Sequence, residues 1–417
     1  MKLLFISNMY PPFDMGGYEQ WCQEIALLLQ QKGHDVHVLT SRCGVELGRT
    51  ASEENVTRTL FLEADPFHYK PLDFLLNWRR RQKANQQELH RVLDQLKPDI
   101  ALVWGMWLLS RNIPYWLEQR IPNRVAYYLA SYWPVDNDPH ISYWQLPANK
   151  TIFKIVKELA SVWARNQLRQ TNYPPQLNFR HIASCTEYVH NQLLLARIIS
   201  DDAKIIYGGI DPIPFFGEDI KQTAGKSSDQ LQLLYFGTLR EGKGVHTALE
   251  ALGHLKRRNL LQNVHLTLLG DGDSDYKAHL FALAKELDIK ESISFAGRVS
   301  RPEIPYLLNH FDVFLFTSIW PEPFGRTIVE AMAAGLVVIG ADVGGSREIF
   351  YHYPENMLYQ PGNAEELASQ IQRLFEEPEL LPRLAKIGPK LVSEQFTLER
   401  MADEIEAWLQ HITREHQ

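Results

Sequence analysis

Glu322 and Glu330 flank the run Pro323-Phe-Gly-Arg-Thr-Ile-Val329, which leaves an apolar strand, turns at Pro321 and Pro323 and enters a helix. Two carboxylates so placed could be a glycosidase acid and nucleophile. With most of the span helical, their Cα atoms are up to ~12 Å apart and their side chains project differently. Paired glycosidase carboxylates sit roughly 5 to 9.5 Å apart. A better fit is two hydroxyl acceptors on one long ligand: a sugar at Glu322, a ribose at Glu330, and phosphate at the free helix amides between them. Gly325 allows a ligand close to the backbone there. Upstream, Gly237-Thr-Leu-Arg-Glu-Gly-Lys-Gly244 sets Lys243 in a glycine-rich loop between a strand and a helix, where a cation beside free amides suits a phosphate. The pair Gly16-Gly17, after the strand Lys2–Ser7, repeats that geometry, although a glycine pair alone is weak support.

The elements that must hold these residues follow one pattern. Asp312–Phe316 and Leu336–Gly340 are short apolar runs of strand length on either side of the helix that starts near Phe324. Strand, helix, strand is a parallel crossover, whose loop at the strand's carboxyl end opens onto a ligand crevice. Further buried strands are predicted at Pro98–Trp104, Arg124–Leu129 and Leu231–Phe236, with a loop and strand in Lys32–Thr40, a strand and turn in His265–Gly272 and a strand with its exit in Ile293–Val299. A chain of 417 residues, 45% apolar and 22% charged, is natural for two such domains. No apolar run approaches the ~20 residues that span a bilayer, and the start runs straight into a strand, so a cytoplasmic protein is expected. The three cysteines lack metal-ligand spacing and are expected to be reduced packing residues. No Asp-x-Asp metal site and no basic, aromatic-rich nucleic-acid module is present, so neither a metal, nor a cofactor, nor a nucleic acid is expected.

Glu322-Pro-Phe-Gly-Arg-Thr-Ile-Val-Glu330 resembles the Glu-x7-Glu motif of the retaining nucleotide-sugar glycosyltransferases of family 4. The resemblance implies an α/β chain of two facing Rossmann-like domains in the GT-B arrangement, with a deep interdomain cleft and a last helix crossing back to the first domain. It places the acceptor-side domain at residues 1–210, the donor domain at 211–395 and the crossing helix at 396–417. It also implies that Glu322 contacts the donor sugar, Glu330 the ribose, and Phe324, Gly325, Arg326 and Thr327 the sugar and diphosphate. Gly16 and Gly17 would face the diphosphate, Lys243 would grip it, and Arg298 would lie at the strand exit that holds the nucleobase. Two departures stand out. Thr238 occupies the usual arginine position, leaving Arg240 as the candidate substitute. Ala130-Ser131 stands where relatives carry His-Asp, so no histidine follows the strand Val125–Leu129, and Ser131 is the polar residue left there, with Tyr132, Asp136 and Asp138 nearby.

The expected activity is transfer of a hexosyl group, with retention, from a nucleoside diphosphate sugar, expected to be UDP-linked, to a glycan or carrier-linked acceptor in polysaccharide or glycoconjugate synthesis. Two alternatives stay open: a nucleotide-sugar isomerase of the same fold, and a donor-binding subunit with weakened catalysis. Between Asn149 and Arg169 an amphipathic helix carries Ile152, Val156, Leu159 and Trp163 on one face and Lys150, Lys154, Lys157, Ser161 and Arg165 on another. A core-facing helix with a wet basic side is expected. The second meaning is a surface that meets an anionic acceptor or an anionic membrane, with the basic run Arg79–Lys83 earlier in the chain. Charge leans the same way: residues 1–210 hold 23 Lys+Arg against 20 Asp+Glu, and the remainder 20 against 30.

Overall fold

The computed structural model describes residues 1–13, 16–45, 54–65, 68–147, 154–200, 203–216 and 230–415. Residues 217–229, as well as Lys150 and Ile152, lie outside them. The chain forms two compact units. Met1–Cys185, Val189–Ile206 and Ala402–Gln417 make the first, and Thr186–Tyr188 with Tyr207–Met401 the second.

The first unit is built on seven strands, β1 Lys2–Ser7, β2 Asp35–Ser41, β3 Val56–Leu60, β4 Ile100–Val103, β5 Val125–Leu129, β6 His181–Ser184 and β7 Lys204–Ile205. They pair in the order β3-β2-β1-β4-β5-β6-β7, every pair parallel. The second unit has β8 Leu231–Phe236, β9 Val264–Leu269, β10 Ile293–Gly297, β11 Val313–Phe316, β12 Val337–Ala341 and β13 Leu358–Tyr359. Their order is β10-β9-β8-β11-β12-β13, again all parallel. Helices cover both faces, so the central strands are buried throughout, and runs such as Ile100-Ala-Leu-Val103 and Val337-Val-Ile-Gly-Ala341 carry no polar alternation. Both units are Rossmann-like α/β domains. In each, strand order reverses beside the first strand, between β1 and β4 and between β8 and β11. Loops leaving the carboxyl ends of strands at such a point enclose a crevice.

The last helix, Leu398–Arg414, buries Met401, Ile405, Trp408, Leu409 and Ile412. From Ala402 onward it belongs to the first unit, where Lys32 reaches Asp403 at 2.6 Å and His34 lies 2.9 Å from Glu406.

One expectation is reversed. The helix Lys154–Gln170 buries Ser161, Ala164, Gln167 and Leu168, while Val156, Leu159 and Trp163 are 66%, 69% and 49% exposed. The small side chains Ser161 and Ala164 permit close approach to the cluster of Phe74, Trp78, Trp144 and Tyr173. Periodicity locates an apolar face, but not the side on which the neighbouring elements lie.

Beneath that cluster is a buried polar network. Glu63 accepts from Gln82 at 2.7 Å and from the Trp78 indole at 3.3 Å. The Tyr173 hydroxyl lies 2.7 Å from both Glu63 and Asp138. One phenolic proton cannot serve two carboxylates, and burial followed by the Asp138 charge pushes Glu63 up to about 8. Folded Glu63 therefore keeps a proton that the unfolded chain releases near pH 4.5, and this contribution to stability is lost as pH rises through about 8. Buried His140 is held down to about 4, so it opposes this trend only below its unfolded value of 6.5. Above pH 7 His140 no longer offsets Glu63. Thermal unfolding should show Tm falling from about pH 7 to 8.5, and Glu63→Gln should flatten that slope.

Candidate functional site

The loops that leave β8 and β11 are laced together in the second unit. The amides of Ile319 and Trp320 donate to the Gly242 carbonyl at 3.1 and 3.0 Å. The Thr317 hydroxyl donates to the Lys243 carbonyl at 2.8 Å. Gly244 has φ +61°, and a Cβ there would lie 2.1 Å from the Thr317 carbonyl oxygen, so no larger residue permits this closeness. The loop after β12 supports the pair from below, with the Gly345 amide donating to the Glu322 carbonyl at 2.8 Å.

This lacing sets Lys243 against Glu322. The ammonium is 2.5 Å from Glu322 Oε1, with side chains 28% and 15% exposed, and the Ser318 hydroxyl donates to the same oxygen at 3.0 Å. The pair is half-open, so a ligand can reach both charges. Phe324 is buried against Phe396, and the helix Arg326–Ala333 starts immediately after Gly325. The Ile328 amide donates to the Gly325 carbonyl at 2.9 Å and closes its first turn, and the N-terminus of a helix favours negative charge.

Glu330, one turn further in, is fully buried. Arg301 grips it with both terminal nitrogens, Nη1 donating to Oε2 at 2.9 Å and Nη2 to Oε1. Arg326 Nε adds a bond to Oε1 at 2.8 Å. Burial alone would raise this carboxyl, but the two guanidiniums outweigh it and hold Glu330 below its ordinary value. An ionised carboxylate offers about four lone-pair sites. Three are taken, which leaves room for one more donor, such as a hydroxyl.

The remaining candidates are arranged as follows. Thr327 sits in the first turn of the same helix. Arg240 is exposed at the rim of a cavity of about 670 Å³ lined also by Glu241, His246, Asp273 and Tyr276. Arg298 is exposed just past β10. Among the described residues neither bonds to Glu322 or Glu330. Gly16, Gly17 and Ser131 belong to the first unit, the glycines at the start of the helix Gly17–Gln31 and Ser131 after β5. There the Tyr18 hydroxyl lies against the carbonyls of Trp104 and, at 2.7 Å, Tyr128, tying the glycine helix to the exits of β4 and β5. Asp138 is consumed as a helix cap, its Oδ1 accepting from His140 and Ile141. His140 is enclosed by Tyr69, Phe74 and Trp78. His181 begins β6 opposite Ala126 and so lies at the far edge of the sheet from Ser131. Neither imidazole comes to the Ala130-Ser131 loop. No cluster of His, Cys, Asp and Glu suited to a metal occurs among the described residues.

Motif spacing misses Arg301 and Ser318, which contact Glu330 and Glu322 in the second unit, and Tyr18, which follows Gly16-Gly17 in the first. Arg301 follows a predicted strand at the ligand edge, but only the folded loop shows that it reaches Glu330.

Comparison with known proteins extends the picture. Residues 217–391 match the model of the glycosyl transferases group 1, and residues 15–213 that of glycosyltransferase family 4. The glycogen synthase of Mycobacterium tuberculosis is 24% identical over 423 residues, covering 96% of this chain and 92% of that protein. An uncharacterised glycosyltransferase of Methanocaldococcus jannaschii is 28% identical over 211 residues, 49% of this chain and 53% of its own length. The crystal structure of Anabaena HepE in complex with UDP and glucose aligns with a TM-score of 0.67 at 20% identity, over 98% of this chain and 99% of that one, a likeness of fold.

Proposed function

Because this chain belongs to the group 1 glycosyltransferases of the GT-B type, we propose that it moves a hexosyl group from UDP to a glycan or lipid-carrier-linked acceptor with retention of configuration. The observation that carries this is the polar track Lys243–Glu322, helix start at Gly325–Arg326, Glu330–Arg301, in which cations and carboxylates lie to either side of a helix N-terminus along one strand-edge crevice. A nucleotide sugar has matching groups in matching order. Hydroxyls of the sugar meet Glu322, the diphosphate meets Lys243 and the amides at Gly325–Thr327, and a ribose hydroxyl takes the remaining acceptor site of Glu330. The UDP and glucose bound by the Anabaena structure of similar fold favour uridine.

As the glycosidic bond breaks, negative charge gathers on the leaving diphosphate. Lys243 and the oriented amides stabilise that charge without reorganising, and in this proposal no metal takes part. Arg240 contributes at long range from the rim of its cavity. Attack from the same face, with the departing phosphate taking the acceptor's proton, accounts for retention and needs no enzymic base. The reaction belongs to polysaccharide or glycoconjugate synthesis, in a protein of the cytoplasm that touches the anionic inner face of a membrane carrying the acceptor. No helix among the described residues is long and apolar enough to cross a membrane.

The donor assignment is tested by thermal shift with UDP, GDP, ADP and their sugars. A ligand at a hundred times its Kd stabilises by about 2.7 kcal/mol. UDP and a UDP-sugar should raise Tm most, and equal, negligible shifts for all nucleotides would refute the proposal.

A pH prediction follows from the missing imidazole. His140 is buried and held down to about 4, and His246, beside the Lys243 loop, is held below its ordinary value by burial. With donor saturating, kcat should be flat from about pH 6.5 to 8. A limb in that range that disappears in His181→Ala would identify a working histidine instead.

A further inference from the structure

We infer that the outward faces of the helices Pro71–Leu96 and Lys154–Gln170 form one surface that seats on an anionic lipid bilayer. This rests on the proposed contact with a membrane-borne acceptor and names the part of the molecule that makes it.

The longer of the two apolar faces belongs to Lys154–Gln170. Ile155, Val156, Leu159, Val162 and Trp163 are 72%, 66%, 69%, 60% and 49% exposed. At 100° per residue they form one stripe centred opposite Ala164, the residue that faces the core. In Pro71–Leu96, Leu72 and Leu76, one turn apart, are 70% and 78% exposed, and the same face continues through Arg79, Arg80 and Lys83. Both helices pack on one cluster, Phe74 and Trp78 from the first and Ala164 and Leu168 from the second. Arg79 donates to Gln170 at 3.2 Å and ties the last residue of the second helix to the first.

Charge selects the occupant. Lys154–Gln170 exposes three cations, Lys154, Arg165 and Arg169, against the carboxylate Glu158, while Lys157 turns to the Pro147 carbonyl at 3.1 Å and the Tyr143 ring. The stretch Pro71–Lys83 carries Arg79, Arg80, Arg81 and Lys83 against Asp73, which is bound to Arg81 at 2.6 Å. The chain as a whole is at −7, so this surplus is local. A second copy seated face to face would oppose cation to cation. An anionic bilayer accepts the apolar stripe among its acyl chains and the Lys and Arg heads at its phosphates, with long side chains extending from one to the other.

The test uses the full chain. Sedimentation with vesicles of phosphatidylcholine alone is compared with an equimolar mixture with phosphatidylglycerol, at low and high salt, while UDP thermal shifts are read on the same samples. The protein should pellet with the anionic vesicles, less so in high salt. Leu159→Glu with Trp163→Glu, and separately Arg79→Glu with Lys83→Glu, should each weaken partition by roughly tenfold or more. These positions are exposed, so the UDP shift should be unchanged. Equal pelleting of wild type and the Leu159/Trp163 variant, or no pelleting of wild type, would overturn the inference. So would a dimer in sedimentation velocity that Leu159→Glu dissociates, which would give the face to a second copy. Loss of the UDP shift in wild type with vesicle binding retained would instead sink the donor proposal alone.

Discussion

Lys243→Ala should lower kcat by roughly 10²- to 10³-fold, the loss typical of removing one donor aimed at charge that develops in a transition state. The variant also strips Glu322 of its ion pair and leaves it with the Ser318 hydroxyl alone. Donor affinity should fall as well, because the ammonium meets the diphosphate before reaction. Lys243→Arg should recover part of both, since charge is kept while the planar fork cannot reproduce a compact ammonium 2.5 Å from Glu322. Measuring kcat, KM and direct nucleotide titration separates the two contributions. A titration of the alanine variant that matches wild type would reduce Lys243 to a solvated loop residue.

Glu330→Ala should have the second largest effect, and of a different kind. Removing this fully buried carboxylate breaks its ion pair with the Arg326 guanidinium, whose side chain is 10% exposed. Breaking a buried pair costs about 3–5 kcal/mol. Arg301, at 37% exposed, can turn to water, so a loss of about 2–3 kcal/mol is expected. Affinity for plain UDP should fall roughly tenfold or more, because a hydroxyl hydrogen-bonded to a charged group loses its partner. Glu322→Ala should leave UDP binding close to wild type and damage transfer, because its carboxylate serves the sugar. Calorimetric titration of UDP into both variants decides the division of roles, and equal losses would show it to be wrong.

Much of this site was legible in the residues. The run from Glu322 to Glu330 lies where apolar strand, paired prolines, helix start and a second apolar strand follow each other, and β11, β12 and the helix Arg326–Ala333 form there. Those signals are local. The lacing of the β8 and β11 exits was not legible, because it depends on which strands become neighbours, and the reversal of strand order between β8 and β11 is set by the fold of the whole unit. Arg301 was missed for the same reason. Its partner comes from a different crossover, and nothing in Ser300-Arg301-Pro302 marks the arginine as bound for a buried carboxylate. The helix Lys154–Gln170 shows the opposite error, a correct amphipathic pattern assigned to the wrong side. Hydrophobic periodicity says that one face differs from the other. Which face is covered depends on where Phe74, Trp78 and Trp144 lie.

In the proposed reaction this chain breaks the bond between a sugar and a nucleoside diphosphate by handing the sugar to an acceptor. The direct measurement is release of UDP from a UDP-hexose by the full-length protein, with and without a lipid-extracted glycan acceptor and with the anomeric configuration of the product read by NMR. UDP release should depend on acceptor, the product should keep the donor's configuration, and both should be lost in Lys243→Ala. Conversion of the UDP-hexose to an isomer with no UDP released, or an inverted product, would contradict the proposal.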